Sequence, residues 1–174
     1  TCGMVLADLG AEVIKVEPVD GDRTRHLLGA GAGFFPMFNR NKKSIAIDLR
    51  SPAGLEVAIR LASSADVVAQ NFKPGVMAKY GLDYASLKAL NPGLVYCSIT
   101  GFGQESPYAH RAGYDFMIQA MGGLMSLTGK PDSESGGGPV KVGVAITDIF
   151  TGLYAANAVL AALYQRRDAL IKQH

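Results

Sequence analysis

A single carboxylate, Asp148, stands where a short apolar run gives way to a long apolar helical pattern, and it is the residue whose placement most invites chemistry. Val142 to Ile146 is β-branched and apolar apart from Gly143 and reads as a strand, while Ile149, Leu153, Ala156, Leu160 and Leu163 recur at helical spacing. An Asp at such a junction has two possible roles. As an N-cap it accepts the orphan N–H groups of the first turn. As a nucleophile or base it needs partners supplied by other segments, so the rest of the chain has to decide between them.

Several other groups are placed for binding. Asn71, Phe72 and Lys73 follow the apolar run Asp66 to Gln70, and Gly101 to Pro107 follows Leu94 to Thr100. In a parallel sheet, loops at the carboxyl ends of strands are where ligands sit; an ordinary Pro-Gly turn explains the first of them equally well. Arg40, Lys42 and Lys43 form a basic turn ahead of Ser44 to Asp48, which by itself reads as a solvated charge run. Gly29 to Gly33 imitates a phosphate-binding glycine loop. It lacks a strand before it, and Phe34-Phe-Pro follows where a helix should open, so no dinucleotide fingerprint is read there.

The elements that must hold these groups alternate. A helix Met4 to Leu9 is closed by Gly10, and a strand Glu12 to Glu17 is ended by Pro18. Ser51-Pro opens an amphipathic helix through Leu55, Ile59 and Leu61. Strand Asp66 to Gln70, a short helix around Met77 to Tyr80, helix Tyr84 to Leu90, strand Leu94 to Thr100 and helix Phe116 to Met121 follow, with a Ser- and Gly-rich surface loop from Asp132 to Pro139. This alternation predicts one domain of α/β class, an open and mostly parallel sheet with helices on both faces.

Composition narrows the function. The 174 residues are 48% hydrophobic with a formal charge of +2, so a folded core is expected and a general nucleic-acid field is not. The two cysteines offer neither a disulfide framework nor a zinc spacing, and Cys97 lies inside an apolar strand. No metal site is read. No apolar run reads as long enough to span a membrane, and no signal-peptide pattern opens the chain, so a cytoplasmic protein is expected.

Taken in order, Leu9 to Pro18, Asn39 to Ser44, Asn71 to Gly75, Ser98 to Gln104, Arg111 to Asp115, Gly123 to Gly129 and Val142 to Gly152 resemble the family III CoA-transferases, the CaiB/BaiF family, which includes formyl-CoA transferase and shares its fold with α-methylacyl-CoA racemase. The resemblance implies a Rossmann-like large domain in an interlocked homodimer, of which residues 1–174 are a partial N-terminal portion, with a first strand before Thr1 and the later strands and small domain absent. It implies Asp148 as nucleophile, and CoA or acyl-CoA as substrate rather than any permanently bound cofactor, with a small carboxylic acid as the second substrate and neither nucleic acid nor membrane as partner. It places Ile47, Asp48, Leu49 and Arg50 at the adenine-nucleotide end of CoA, Asn71, Phe72 and Lys73 along it, Lys79 on phosphate, and Ala112, Gly113, Tyr114 and Asp115 near the thioester. Lys42, Lys43 and Arg111 are further counter-charges, and Gly122 and Gly123 allow close backbone approach. Pro18 and Lys79 stand where relatives carry arginine. Racemases carry histidine at the place of Tyr114, and an ordinary tyrosine, with a pKa near ~10, is a poor base for an α-proton, so transfer is favoured over racemisation. The rival from another class is a nucleotide-binding α/β module in which Asp148 only caps and Glu17 holds a ribose.

Overall fold

A computed structural model describes residues 1–171, and the side chains of all of these except Ala30 and 168–171. The order of elements is α1 (Cys2–Asp8), β1 (Val13–Glu17), α2 (Phe34–Asn39), β2 (Lys42–Ala46), α3 (Pro52–Ser64), β3 (Val67–Gln70), α4 (Tyr84–Leu90), β4 (Val95–Ser98), α5 (Asp115–Met121), α6 (Leu124–Thr128) and α7 (Ile146–Ile171), with short 3-10 turns between them. The fold is α/β, and every strand pair is parallel. The four strands form two ladders, β1 with β2 and β3 with β4, rather than one continuous sheet.

The β3–β4 ladder is covered on both faces, and the side-chain period of two explains how. Val67, Val95 and Cys97 point to one side, where they pack on Cys2 and Leu6 of α1 and on Ala156 and Val159 of α7. Val68 and Tyr96 point to the other, against Ala58 of α3, Leu87 of α4, Leu82 and Leu94. Ser51 starts α3 as expected, its hydroxyl accepting from Gly54 N at 3.1 Å with Pro52 in the first turn. Burial pushes the thiols of both Cys2 and Cys97 up, which fits core residues rather than nucleophiles.

Three expectations are corrected. Val142 to Ile146 is not a strand. Its backbone finds no ladder; instead Val142 N–H donates to the Gln119 side chain at 2.9 Å, and Val140 N–H donates to the Met125 carbonyl at 2.9 Å. Helix α7 therefore begins at Ile146, and Asp148 lies in its first turn. A short helix, α2, does follow the Gly29–Gly33 turn, with Pro36 inside it, although no strand precedes the glycines. Lastly, Ile146–Arg167 is long and apolar enough by length and composition to cross a membrane. The sequence reading counted no apolar run of that length. Core helices of α/β domains meet the same test; here 17% of the apolar stretch is buried, with Ala156 and Val159 at 2% exposure packed on α1 and the β3–β4 ladder. The last three residues of the polar stretch Gln165 to His174 lie outside the described residues.

The loop from Asp132 to Pro139 is closed by an antiparallel bridge between Lys130 and Gly138. The basic turn is partly consumed by structure: Arg40 and Asn41 both bind Asp8 at the end of α1, and Lys43 pairs with Glu12 at 2.5 Å. Asn41 takes a left-handed conformation, φ 60°, as the chain turns from α2 into β2.

At the end of β1, Glu17 is 4% exposed and gathers Arg25 at 2.7 and 2.8 Å, the Ser44 hydroxyl and the Asp22 N–H. The Arg25 guanidinium, itself stacked 3.7 Å over the Phe35 ring, is the main reason the Glu17 carboxyl sits far below the usual range. A carboxylate so occupied has no room for a ribose, which removes the support for the nucleotide-module reading. Glu17→Gln should lower stability near pH 7, because it removes the charge that holds Arg25 and leaves a neutral amide among donors arranged for a carboxylate. Since the folded value is depressed, the wild-type advantage is complete above the unfolded glutamate value of about 4.3 and shrinks as pH falls below it. Urea unfolding of both proteins at pH 7 and near pH 3 checks the sign.

Candidate active site

An open cavity of about 2440 Å³ runs between the two ladders, lined by residues of β1 and β3, by Thr1 and Gly3 of the α1 end, and by the first turn of α7. It brings together most of the residues named from the sequence. Ile47, Asp48, Leu49, Arg50, Asn71, Phe72, Lys73, Ala112, Gly113, Tyr114 and Asp148 all line it. Lys79 and Asp115 do not: Lys79 is exposed on the 3-10 turn Met77–Tyr80, and Asp115 is 9% exposed with its carboxylate turned into the protein. Of the other counter-charges, Lys42 and Arg111 line the cavity, as does Lys15, whereas Lys43 does not.

Local chemistry sets each segment. Ile47 N–H donates to the Glu17 carbonyl at 2.9 Å, carrying the β1–β2 pairing to the cavity edge, and there Arg50 closes on Asp48 at 2.9 Å. At the end of β3, Gln70 bridges two segments. Its Nε2 donates to Ser98 Oγ at 2.9 Å and its Oε1 accepts from Phe72 N at 2.7 Å, so the Asn71–Lys73 turn is tied to the neighbouring strand. The segment bearing Ala112 and Tyr114 is brought in by two glycines. Gly101 and Gly113 lie back to back, and a Cβ built on either would overlap the other's Cα. Arg111 stacks 4.4 Å over the Tyr108 ring. Tyr114 precedes α5 and is 76% exposed.

Asp148 is exposed to the cavity, and among the described residues no hydrogen bond reaches its carboxylate. It does not cap its own helix. That task falls to Asp115, whose Oδ1 accepts from Thr147 N at 2.8 Å, Thr147 Oγ1 at 2.5 Å and Asp148 N at 3.3 Å. Its Oδ2 accepts from Gln119 Nε2 at 2.6 Å. Desolvation pushes Asp115 up, but the Thr147 hydroxyl, Gln119 and the two N–H groups outweigh it and its carboxyl stays low. Asp148 goes the other way. Protein atoms around its wall of the cavity desolvate it and the Asp115 charge adds to this, so its carboxyl is raised. Lys42, half-buried next to Lys15, also lines the cavity and is lowered mainly by desolvation.

Sequence reasoning missed Gln119, which is fully buried and has three contacts: with Asp115, with Val142 N and, at 3.3 Å, with the Val144 carbonyl. The available signal was an Asp and a Gln four residues apart in an otherwise apolar helix, which puts both on one buried face. Among the described residues no group of three or more His, Cys, Asp or Glu is assembled that could hold a metal ion.

The domain is α/β, its open cavity runs along β1 and β3, and an unengaged carboxylate in the first turn of α7 faces it. Residues 1–172 match CoA-transferase family III, and the chain belongs to that family. It is 52% identical to the succinate–glutarate CoA-transferase of Agrobacterium fabrum, over 99% of this chain and 45% of that protein. It is 46% identical to the human succinyl-CoA:glutarate CoA-transferase, over 94% of this chain and 37% of that one. Among solved structures, a CaiB/BaiF family protein from Brucella suis superposes with a TM-score of 0.89 at 55% identity, covering 97% of this chain and 46% of that one. The chain thus spans less than half the length of these relatives.

Because the two glycines fix the Ala112–Tyr114 segment against the end of β4, Gly101→Ala and Gly113→Ala should each cost roughly 1–3 kcal/mol of stability by overpacking. Gly143, with open space around it, is the control and should change stability far less. Chemical denaturation of the three variants measures this.

Proposed function

We propose that the intact protein carrying this chain transfers CoA from an acyl-CoA thioester to a carboxylic acid, with Asp148 as the nucleophile. The observation that carries the reading is a carboxylate on the cavity wall, raised in basicity and free of hydrogen bonds, in a member of CoA-transferase family III. An Asp148 oxygen attacks the thioester carbonyl carbon, the C–S bond breaks, and CoA leaves as thiolate from a mixed anhydride. The thiolate then attacks the aspartyl carbonyl and releases the donor acid as carboxylate, leaving an aspartyl-CoA thioester. Attack by the acceptor carboxylate forms a second anhydride and frees CoA once more. The thiolate takes the acceptor acyl group and restores Asp148. No net proton is consumed, and thioester energy stays on the enzyme as long as water is kept from the anhydrides.

In this reading residues 1–174 are part of the N-terminal large domain. Ile47 to Arg50 and Asn71 to Lys73 bind CoA, Lys79 reaches a phosphate outside the cavity proper, Ala112 to Tyr114 border the thioester, and Asp115 acts from behind. Lys42, Lys15 and Arg111, which line the same cavity, supply positive charge toward anionic substrates. Short dicarboxylates such as succinate and glutarate are the proposed acids, supported by the 52% and 46% identical transferases that carry those names. A cytoplasmic homodimer is proposed for the intact protein, supported by the exposed Phe150, Leu153, Tyr154, Leu160 and Tyr164 along α7.

The test is peptide mass spectrometry of the intact protein after incubation with succinyl-CoA and trapping with hydroxylamine or borohydride. Wild type should be modified at Asp148. Asp148→Ala should be unmodified and turn over at least ~10³-fold more slowly. Binding of succinyl-CoA with no label at Asp148, or turnover surviving the substitution, would refute the assignment.

A further inference from the structure

We propose that Asp115, backed by Gln119, is the positioning residue for Asp148: it closes the start of α7 in place of the Asp148 side chain and leaves that carboxylate unbound on the cavity wall. This rests on the reading of Asp148 as nucleophile, and it assigns Asp115 a different role from CoA contact.

Asp148 sits in the first turn of a 26-residue helix, next to N–H groups that its own side chain is suited to accept. A carboxylate occupied in that way is a poor nucleophile, because its lone pairs are already engaged. In this structure the first-turn donors are already taken. Thr147 N, Thr147 Oγ1 and Asp148 N converge on one oxygen of Asp115, and Gln119 Nε2 occupies the other. Gln119 in turn accepts from Val142 N and donates to the Val144 carbonyl, so the segment leading into α7 is held at two points by the same pair. Both members are buried, at 9% and 0% exposure, and both come from α5, which starts at the segment lining the cavity.

The pairing has an electrostatic consequence that mere packing would lack. Of two neighbouring carboxylates, the one supplied with donors keeps its charge easily, and the one without donors bears the cost of their repulsion. Beyond desolvation, the side-chain charge that acts on Asp148 is that of Asp115 from α5. Removing the Asp115 charge should therefore lower the Asp148 midpoint. For one class of nucleophile, basicity and nucleophilicity rise together, so the same change should slow attack on the thioester.

Asp115→Asn keeps the shape but turns an N–H₂ group toward Gln119 Nε2, a donor facing a donor. Asp115→Asn with Gln119→Glu repairs that contact and returns the negative charge one turn away, giving up only the long 3.3 Å donation to the Val144 carbonyl. In the intact protein, the Asp148 carboxyl is titrated by carbon-13 NMR, assigned with Asp148→Asn, and kcat, KM for succinyl-CoA and the pH profile are measured alongside. The expected result for Asp115→Asn is a lower Asp148 midpoint, an acid limb shifted to lower pH, and kcat reduced about 10- to 100-fold with KM changed by less than about 3-fold. In the double variant kcat and the midpoint should move back toward wild type. An unchanged Asp148 midpoint in folded Asp115→Asn, or a loss seen in KM rather than kcat, would overturn the proposal. Should Asp115→Asn fail to fold, the double variant decides: folding with recovered turnover supports positioning, whereas failure to fold or folding without turnover contradicts it. If Asp148→Asn retains turnover, the nucleophile assignment has failed, and the NMR midpoint still decides whether Asp115 governs Asp148.

Discussion

The start of α7 depends on one buried carboxylate. An α-helix leaves its first N–H groups unpaired, and in most helices a side chain from the chain just before it accepts them. Here the acceptor comes from another helix, Asp115 of α5, thirty-odd residues earlier in the chain. This makes the junction tertiary rather than local. The position of α7 relative to α5, the irregular path of 139–145 and the freedom of Asp148 are all fixed by the same few hydrogen bonds, with Gln119 as their second anchor.

The rest of α7 is held by means that reinforce that placement. Ala156 and Val159 bury against Cys2 and Leu6 of α1 and the Val67, Val95 and Cys97 face of β3–β4. Gly152 lies where a Cβ would overlap Thr1, so α1 approaches the helix closely one turn beyond Asp148. Near its far end, Arg166 donates to the Gly93 carbonyl at 3.0 Å and to Asp66 at 2.7 Å, clamping the helix to the loops that open β3 and β4. A helix pinned at its start, middle and end offers a rigid base for a group that must meet a reacting carbon within a fraction of an ångström. The segments bearing Asn71 and Gly113 are tied down by Gln70 and Gly101, so the cavity walls opposite Asp148 share this rigidity.

Much of this was legible in the amino-acid order. Gly10, Pro18, Ser51-Pro and Asn91-Pro-Gly mark element ends by local chemistry, and helices such as Tyr84–Leu90 fall where those marks put them. What failed was local in the other direction. Val142 to Ile146 has the composition of a strand, but a strand needs a partner edge, and its N–H at Val142 is claimed by a glutamine from α5. Asp148 does stand at the helix start, in its first turn rather than ahead of it. The same gap hid the inward turn of Asp115, because nothing in the run from Arg111 to Asp115 says that the final carboxylate faces Thr147 and Gln119. Residues that line the cavity from loops, from Ile47 to Arg50 and from Asn71 to Lys73, were recognisable as segments because ordered motifs carried them. Those that act through long-range hydrogen bonds were not.

The central claim is that the Asp148 carboxylate itself exchanges oxygen with the transferred acids. It is tested most directly by a single turnover of the succinyl-loaded intact protein with glutarate labelled with heavy oxygen in both carboxylates, followed by mass analysis of the peptide containing Asp148. If the acceptor attacks an aspartyl-CoA thioester and the second anhydride is then split at the acceptor carbonyl, one heavy oxygen must remain on Asp148. A peptide without heavy oxygen after product has formed would contradict the account.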